Sequence, residues 1–98
     1  MEKIRYLCDK PETREEIYER FVELAGNEKS YLKRVGNKEE PYRFKTINQG
    51  PEIEVNLSSP QDLLSFPFFI EVSGRGEREK IKEGFCDLLD KMGLLGVI

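Results

Sequence analysis

Glycine and arginine residues at the start of a helix can bind phosphate, and this chain has both at Gly74-Arg75-Gly76. The tripeptide lies between a strand-like and a helical stretch, where free backbone N–H groups and the helix dipole favour an anion. Arg75 and Arg78 would add guanidinium contacts. The dinucleotide-binding pattern, however, needs a third glycine where Glu79 stands, and acidic side chains in the first turn compete with an anion. The spacing therefore favours a tight turn, with an anion site as the alternative.

A second group of candidate residues is basic and lies in residues 29–45, where six Lys or Arg residues stand against two acidic ones. The whole chain has a net charge of −3, and a local basic patch of this kind suits a specific anionic partner, either RNA or an acidic protein surface. Strand alternation places Arg43 and Lys45 on the same face of their strand. In the preceding strand it places Tyr31 and Lys33 together on one face. Lys33, Arg43 and Lys45 are thus candidate anion ligands. The favoured alternative is a solvated basic face above an aromatic core.

The remaining candidates are carboxylates and thiols. Glu52, Glu54 and Glu71 point outward from their predicted strands, and acids on neighbouring strands can hold Mg²⁺ or Mn²⁺. Cross-strand pairing with basic residues is the favoured alternative. The chain contains no histidine, which removes most zinc sites and the usual general base at neutral pH. Cys8 and Cys86 do not form a CxxC site, and we predict two reduced, buried thiols.

Hydrophobic periodicity predicts the elements that carry these residues. Alternation predicts strands over residues 3–8, 30–35, 42–48, 52–57 and 66–73. Helical spacing predicts helices over residues 11–27 and 77–92, the first with a capping box from Thr13 to Glu16. The sequence of residues 36–41 predicts a hairpin turn. The sequence of residues 58–64 predicts a short helical turn. The apolar tail, residues 94–98, either pairs as a short strand or packs on a partner.

These elements predict a single α+β domain over residues 1–98. Short connections imply a mainly antiparallel sheet of four to five strands, and each helix has one apolar stripe, so both helices would cover one face in a two-layer sandwich. A ferredoxin-like arrangement is the near alternative. The sequence has no apolar segment of membrane-spanning length and no signal-peptide pattern, which predicts a cytoplasmic protein without a membrane partner.

Residues 50–94 resemble the C-terminal part of the CYTH, or triphosphate tunnel, family. The resemblance rests on the strand "EIEVNL", the strand "FFIEVSG" and the helix after it. It implies Glu54 and Glu71 as ligands of Mg²⁺ or Mn²⁺, and Lys33, Arg43 and Lys45 as phosphate contacts. The family's N-terminal ExExK signature is absent, and Ser73 stands where the family has a second glutamate.

Two functions follow as expectations. The first is a small, non-enzymatic binding or assembly module, with homodimer formation expected, that contacts an anionic partner through the basic hairpin, residues 29–45. It needs no cofactor. The alternative, implied by the resemblance, is a metal-dependent triphosphate-processing half-barrel that acts as a dimer.

Overall fold

Strands and helices follow one another in the order β-α-β-β-β-β-α in a computed structural model of the chain. The structure describes residues 2–8, 11–27, 31–36, 42–47, 52–57 and 68–94. The strands in these ranges are β1 (Glu2–Cys8), β2 (Leu32–Arg34), β3 (Arg43–Thr46), β4 (Ile53–Leu57) and β5 (Phe68–Gly74). The helices are α1 (Pro11–Ala25) and α2 (Arg78–Met92).

The five described strands form one open sheet in the order β1-β5-β4-β3-β2. Every neighbouring pair is antiparallel, as expected for strands joined by short connections. The first strand crosses by way of α1 to the opposite edge, and the chain then returns strand by strand until β5 pairs with β1. The strands stay separate and all pairings are antiparallel, so the main prediction, and not the ferredoxin-like alternative, describes the fold.

One face of the sheet is covered by both helices and forms the core. The buried strand residues alternate along each strand, which is the period that places them on a single face. Phe44 and Val55 are directly opposite each other in β3 and β4 and are both fully buried. From the helices, Phe21 packs on Phe44, with ring centroids 5.2 Å apart, and Phe85 packs on Tyr6 at 4.9 Å. The predicted two-layer α+β sandwich is confirmed.

The predicted start of α1 at residue 11 is confirmed, but the predicted capping box from Thr13 to Glu16 is wrong. The helix begins at Pro11, two residues before Thr13, so Thr13 lies inside the helix and cannot be its N-cap. Proline is favoured at a first helical position because its fixed φ suits the helix and its missing N–H would have no partner there.

Helical spacing predicts one apolar stripe of Ile17, Phe21, Leu24 and Ala25. Ile17 and Phe21 are fully buried, and Leu24 and Ala25 are partly buried against the core. Tyr18 is also buried, which the predicted stripe did not include.

The end of α2 is as predicted. Gly93 adopts a left-handed conformation with φ of 74° and donates its backbone N–H to carbonyls of the last turn. The N–H of Leu94 bonds to the Leu89 carbonyl at 2.8 Å, and the Leu94 side chain is buried. This hydrogen-bond pattern, with its apolar contact, is a common way for a helix to end at glycine.

Two side-chain predictions are corrected. Cys86 is free but exposed, because it follows Phe85 by one residue on α2 and therefore points away from the buried stripe. Tyr31 does not share the face of Lys33, because it lies in a bend before β2, where strand alternation no longer applies. Its ring packs against the core with Lys91 Nζ 5.5 Å from its centroid, and burial raises the pKa of its phenol.

Some predicted elements lie outside the described residues. These are the turn at 37–41, the short helical turn at 58–64, the beginning of the fifth strand at 66–67 and the tail at 95–98. Neither helix in the described part of the chain is long and apolar enough to cross a membrane.

Candidate anion-binding face of the sheet

The sheet face that points away from the helices carries mostly charged side chains, and we call it the open face. Its strand residues alternate with the buried ones. Its described cations are Lys3, Arg5, Lys33, Arg43 and Lys45, and its strand carboxylates are Glu54 and Glu71. The other described strand residues on this face are Leu7, Asn56, Phe69 and Ser73. The structure thus brings three of the predicted anion ligands and both predicted metal ligands onto one surface.

Two lysines stand directly opposite each other near one edge of this face. Lys33 of β2 and Lys45 of β3 are register partners in the antiparallel pair. Like charges in this position repel and destabilise the pairing. An anion that lies between the two ammonium groups would convert this repulsion into attraction. Among the described residues, the structure shows an ion pair for Lys45 but none for Lys33.

The basic hairpin is partly neutralised by Glu54 of β4 and by Glu52, which directly precedes that strand. The Nε and Nη2 atoms of Arg43 donate to Glu54 Oε2 at 3.1 and 2.7 Å. Lys45 Nζ lies 2.5 Å from Glu52 Oε1. Cross-strand pairing was the favoured interpretation of these glutamates from the sequence, and the geometry shows it. Because Arg43 and Lys45 remain 40% and 37% exposed, both can still be reached from solvent.

The other edge of the open face carries cations that the sequence analysis did not select. Lys3 Nζ lies 3.3 Å from Glu71 Oε1, and Arg5 Nη2 lies 3.8 Å from Glu71 Oε2. Arg5 is the register partner of Glu71 because β1 pairs with β5. Alternation in residues 3–8 puts Arg5 on the side of the strand opposite Ile4 and Tyr6, but nothing local in the sequence indicates which strand lies beside it.

A shallow pocket of about 340 Å³ opens between β1, β5 and β4. It is lined by Arg5, Asn56, Leu57, Phe69 and Glu71. The Arg5 guanidinium lies over the Phe69 ring, 5.0 Å from its centroid. The pocket therefore combines a planar cationic and aromatic surface with an amide and a carboxylate.

The predicted metal ligands do not build a metal site in the described part of the chain. Divalent Mg²⁺ and Mn²⁺ prefer several oxygen ligands around one point. Glu54 and Glu71 are on adjacent strands but in diagonal positions, since Glu54 is opposite Ser73 and Asn56 is opposite Glu71. Each is already paired with basic side chains, and the described residues hold no cluster of three or more acidic, His or Cys side chains. Two carboxylates in diagonal positions are fewer ligands than Mg²⁺ or Mn²⁺ usually takes, and the metal-binding role of Glu54 and Glu71 stays a prediction.

The Gly-Arg-Gly corner has a structural reason for each glycine. A Cβ at Gly74 would lie 3.2 Å from the Glu52 carbonyl oxygen and 3.3 Å from Ile81, so the packing leaves little room. Gly76 has φ of 105°, which L-residues rarely adopt. Arg75 is exposed, and Arg78 Nη1 lies 3.9 Å from Glu2. Both glycines therefore agree with the tight turn, and the anion site at Arg75 and Arg78 stays a prediction.

Gly76→Ala is expected to lower the free energy of unfolding by about 1–3 kcal/mol, because a side chain at this φ is strained. Gly26→Ala is the matched control, since its added Cβ meets only ordinary contacts at 3.5 and 3.6 Å and its φ is unstrained. There we expect a gain of up to about 1 kcal/mol, because alanine restricts the unfolded chain. Urea denaturation measures both. Equal stability of Gly76→Ala and the wild type would show that the turn does not require glycine.

Comparison of the chain with protein-family models, curated proteins and solved structures finds no match.

Proposed function

We propose that the protein is a non-enzymatic binding module whose open face contacts an anionic partner through the cations of β2 and β3. The observation that carries the proposal is the direct opposition of Lys33 and Lys45 in the sheet register. Neighbouring like charges raise the local positive potential, and a bound anion relieves their repulsion. Arg43 lies on the same face of β3, two residues from Lys45, and extends this positive area along the strand.

The arrangement of carboxylates supports binding and not hydrolysis. The chain contains no histidine, so the usual acid or base near neutral pH is absent. Glu54 and Glu71 are instead occupied by Arg43 and by Lys3 and Arg5. The same ion pairs hold the exposed cations in place, so that less side-chain entropy is lost when a partner binds.

Salt dependence of binding tests this proposal. The probes are a labelled single-stranded RNA octamer of uridine and an octaglutamate peptide, followed by fluorescence anisotropy between 50 and 300 mM salt. If Lys33, Arg43 and Lys45 each contact one phosphate, log K against log salt should have a slope of about −2, at about −0.7 per contact for single strands.

Weak binding that is insensitive to salt, or no binding of either probe, would contradict the proposal. So would hydrolysis of tripolyphosphate that requires Mg²⁺ or Mn²⁺ and disappears in Glu71→Gln. That result would favour the triphosphate-processing function that the CYTH resemblance implies.

A further inference from the structure

We propose that the anionic partner is single-stranded RNA and that one guanine base occupies the pocket beside Phe69. This inference rests on the proposed function, because the same cations of β2 and β3 would hold the phosphates. It adds a second contact surface, at the opposite edge of the open face, and a base preference. The pocket, with about 340 Å³, is at the small end of the range for ligand sites.

The pocket has a surface on which a base can stack. RNA-binding proteins stack unpaired bases on aromatic rings or on the plane of an arginine guanidinium. Here Arg5 and Phe69 lie together, 5.0 Å from guanidinium carbon to ring centroid. Glu71 restrains Arg5 through an ion pair of 3.8 Å. The planar surface is thus formed before the base arrives.

The polar groups of the pocket match guanine. Asn56 and Glu71 are register partners in β4 and β5, so they lie side by side on the open face. The Watson–Crick edge of guanine has two neighbouring N–H donors and one carbonyl acceptor. An ionised carboxylate only accepts hydrogen bonds, whereas an amide also donates them. Glu71 would accept from the two donors while Asn56 donates to the carbonyl, and uracil offers only one N–H for the same positions.

The phosphate contacts lie at a suitable distance from the pocket. Arg43 is the register partner of Asn56 and is therefore one strand away from that side of the pocket. Lys45 is on the same strand as Arg43, and β3 is two strands from β5, or about 10 Å at the usual strand spacing. Lys33 is one strand further. An RNA chain that crosses the strands would meet the pocket first and these cations next. A duplex would hide the base edge, so the surface suits a single strand.

The experiment compares three labelled octamers by anisotropy at one salt concentration. They are octauridine, the same octamer with one central guanosine, and the same octamer with one central abasic residue. The wild type should bind the guanosine octamer about 10-fold more tightly than octauridine, as is usual for one well-formed bidentate base contact. It should bind the abasic octamer more weakly than octauridine.

Glu71→Gln is the main variant. The change replaces one of the two carboxylate oxygens that would accept from guanine with an amide that donates, so the preference for the guanosine octamer should fall to near 1-fold. It also removes one negative charge, so affinity for octauridine should rise slightly. Asp87→Asn is the matched control, since it makes the same charge change at an exposed position on α2 and should keep the preference. Phe69→Leu should weaken the binding of octauridine and of the guanosine octamer more than the binding of the abasic octamer. Circular dichroism verifies that each variant is folded.

The outcomes separate this inference from the proposed function. Equal, salt-dependent binding of all three octamers would overturn the guanine site while the proposed function stands. Binding of octaglutamate without binding of RNA would also overturn it and identify an acidic protein surface as the partner. Absence of salt-dependent binding to any probe would remove both proposals.

Discussion

Phe44→Ala is expected to lower the free energy of unfolding by about 3–5 kcal/mol, the usual cost of removing a fully buried aromatic side chain. Phe44 is completely buried on β3, and its ring lies 5.2 Å from that of Phe21 on α1. Its removal leaves a cavity between the sheet and the helix. The melting temperature of a domain of this size should fall by at least about 12 °C. Urea and thermal denaturation measure the loss.

Phe69→Ala is the control for this prediction, because Phe69 is on the open face and only half-buried. It should lose less than half as much stability as Phe44→Ala. Phe44→Leu keeps most of the core volume, so its loss should stay below about 1.5 kcal/mol, and it remains measurable if the alanine variant does not fold. If Phe44→Ala and Phe69→Ala were equally destabilised, the assignment of the two sheet faces would be wrong.

Replacing Lys33 and Lys45 together by glutamate is expected to weaken the binding of octauridine by more than about 25-fold at 0.1 M salt. Each lost phosphate contact alone removes about 5-fold at this concentration, and the new negative charges add repulsion. The slope of log K against log salt should also fall, from about −2 to about −0.7, because one cation contact remains. Both side chains are on the solvent side of the sheet, but the change at Lys45 places a carboxylate beside Glu52 and opposite Glu54 and should cost some stability. Circular dichroism verifies that the double variant is folded.

The matched control is Lys80→Glu with Lys82→Glu, which makes the same change in net charge on α2. Both positions are near the beginning of that helix, where negative charge is favourable to the helix dipole. The control should bind octauridine nearly as the wild type does. If the two double variants weakened binding equally, the effect would come from overall charge and not from the opposed lysines of the open face. The proposal would then fail.

The strands and helices could be predicted from the sequence because local periodicity shows which side chains are buried. In residues 52–57, every second side chain is apolar, and Ile53, Val55 and Leu57 are all buried as expected. On α2, Ile81, Phe85 and Leu88 recur at helical spacing and are buried too. These signals need only near neighbours in the chain, because side chains alternate along a strand and repeat every three to four residues on a helix.

The capping residue of α1 could not be predicted in the same way, although the start of the helix at residue 11 was. Thr13 and Glu16 have the spacing of a capping box, yet α1 already begins at Pro11. Capping residues compete with one another, and a proline that is preorganised for the first turn was the stronger signal here. Similarly, the prediction that Tyr31 shares a face with Lys33 was wrong because the strand begins only at Leu32.

The sequence by itself determined the element types, the two faces of each strand and the local excess of positive charge at residues 29–45. Only the tertiary structure decided which charges meet. Lys33 stands opposite Lys45, Arg43 is held by Glu54, and Glu71 lies between Lys3 and Arg5. The pairing of β1 with β5 joins residues that are far apart in the sequence. Local periodicity states which face a side chain occupies, but it contains no information on register or on neighbours that are distant in sequence.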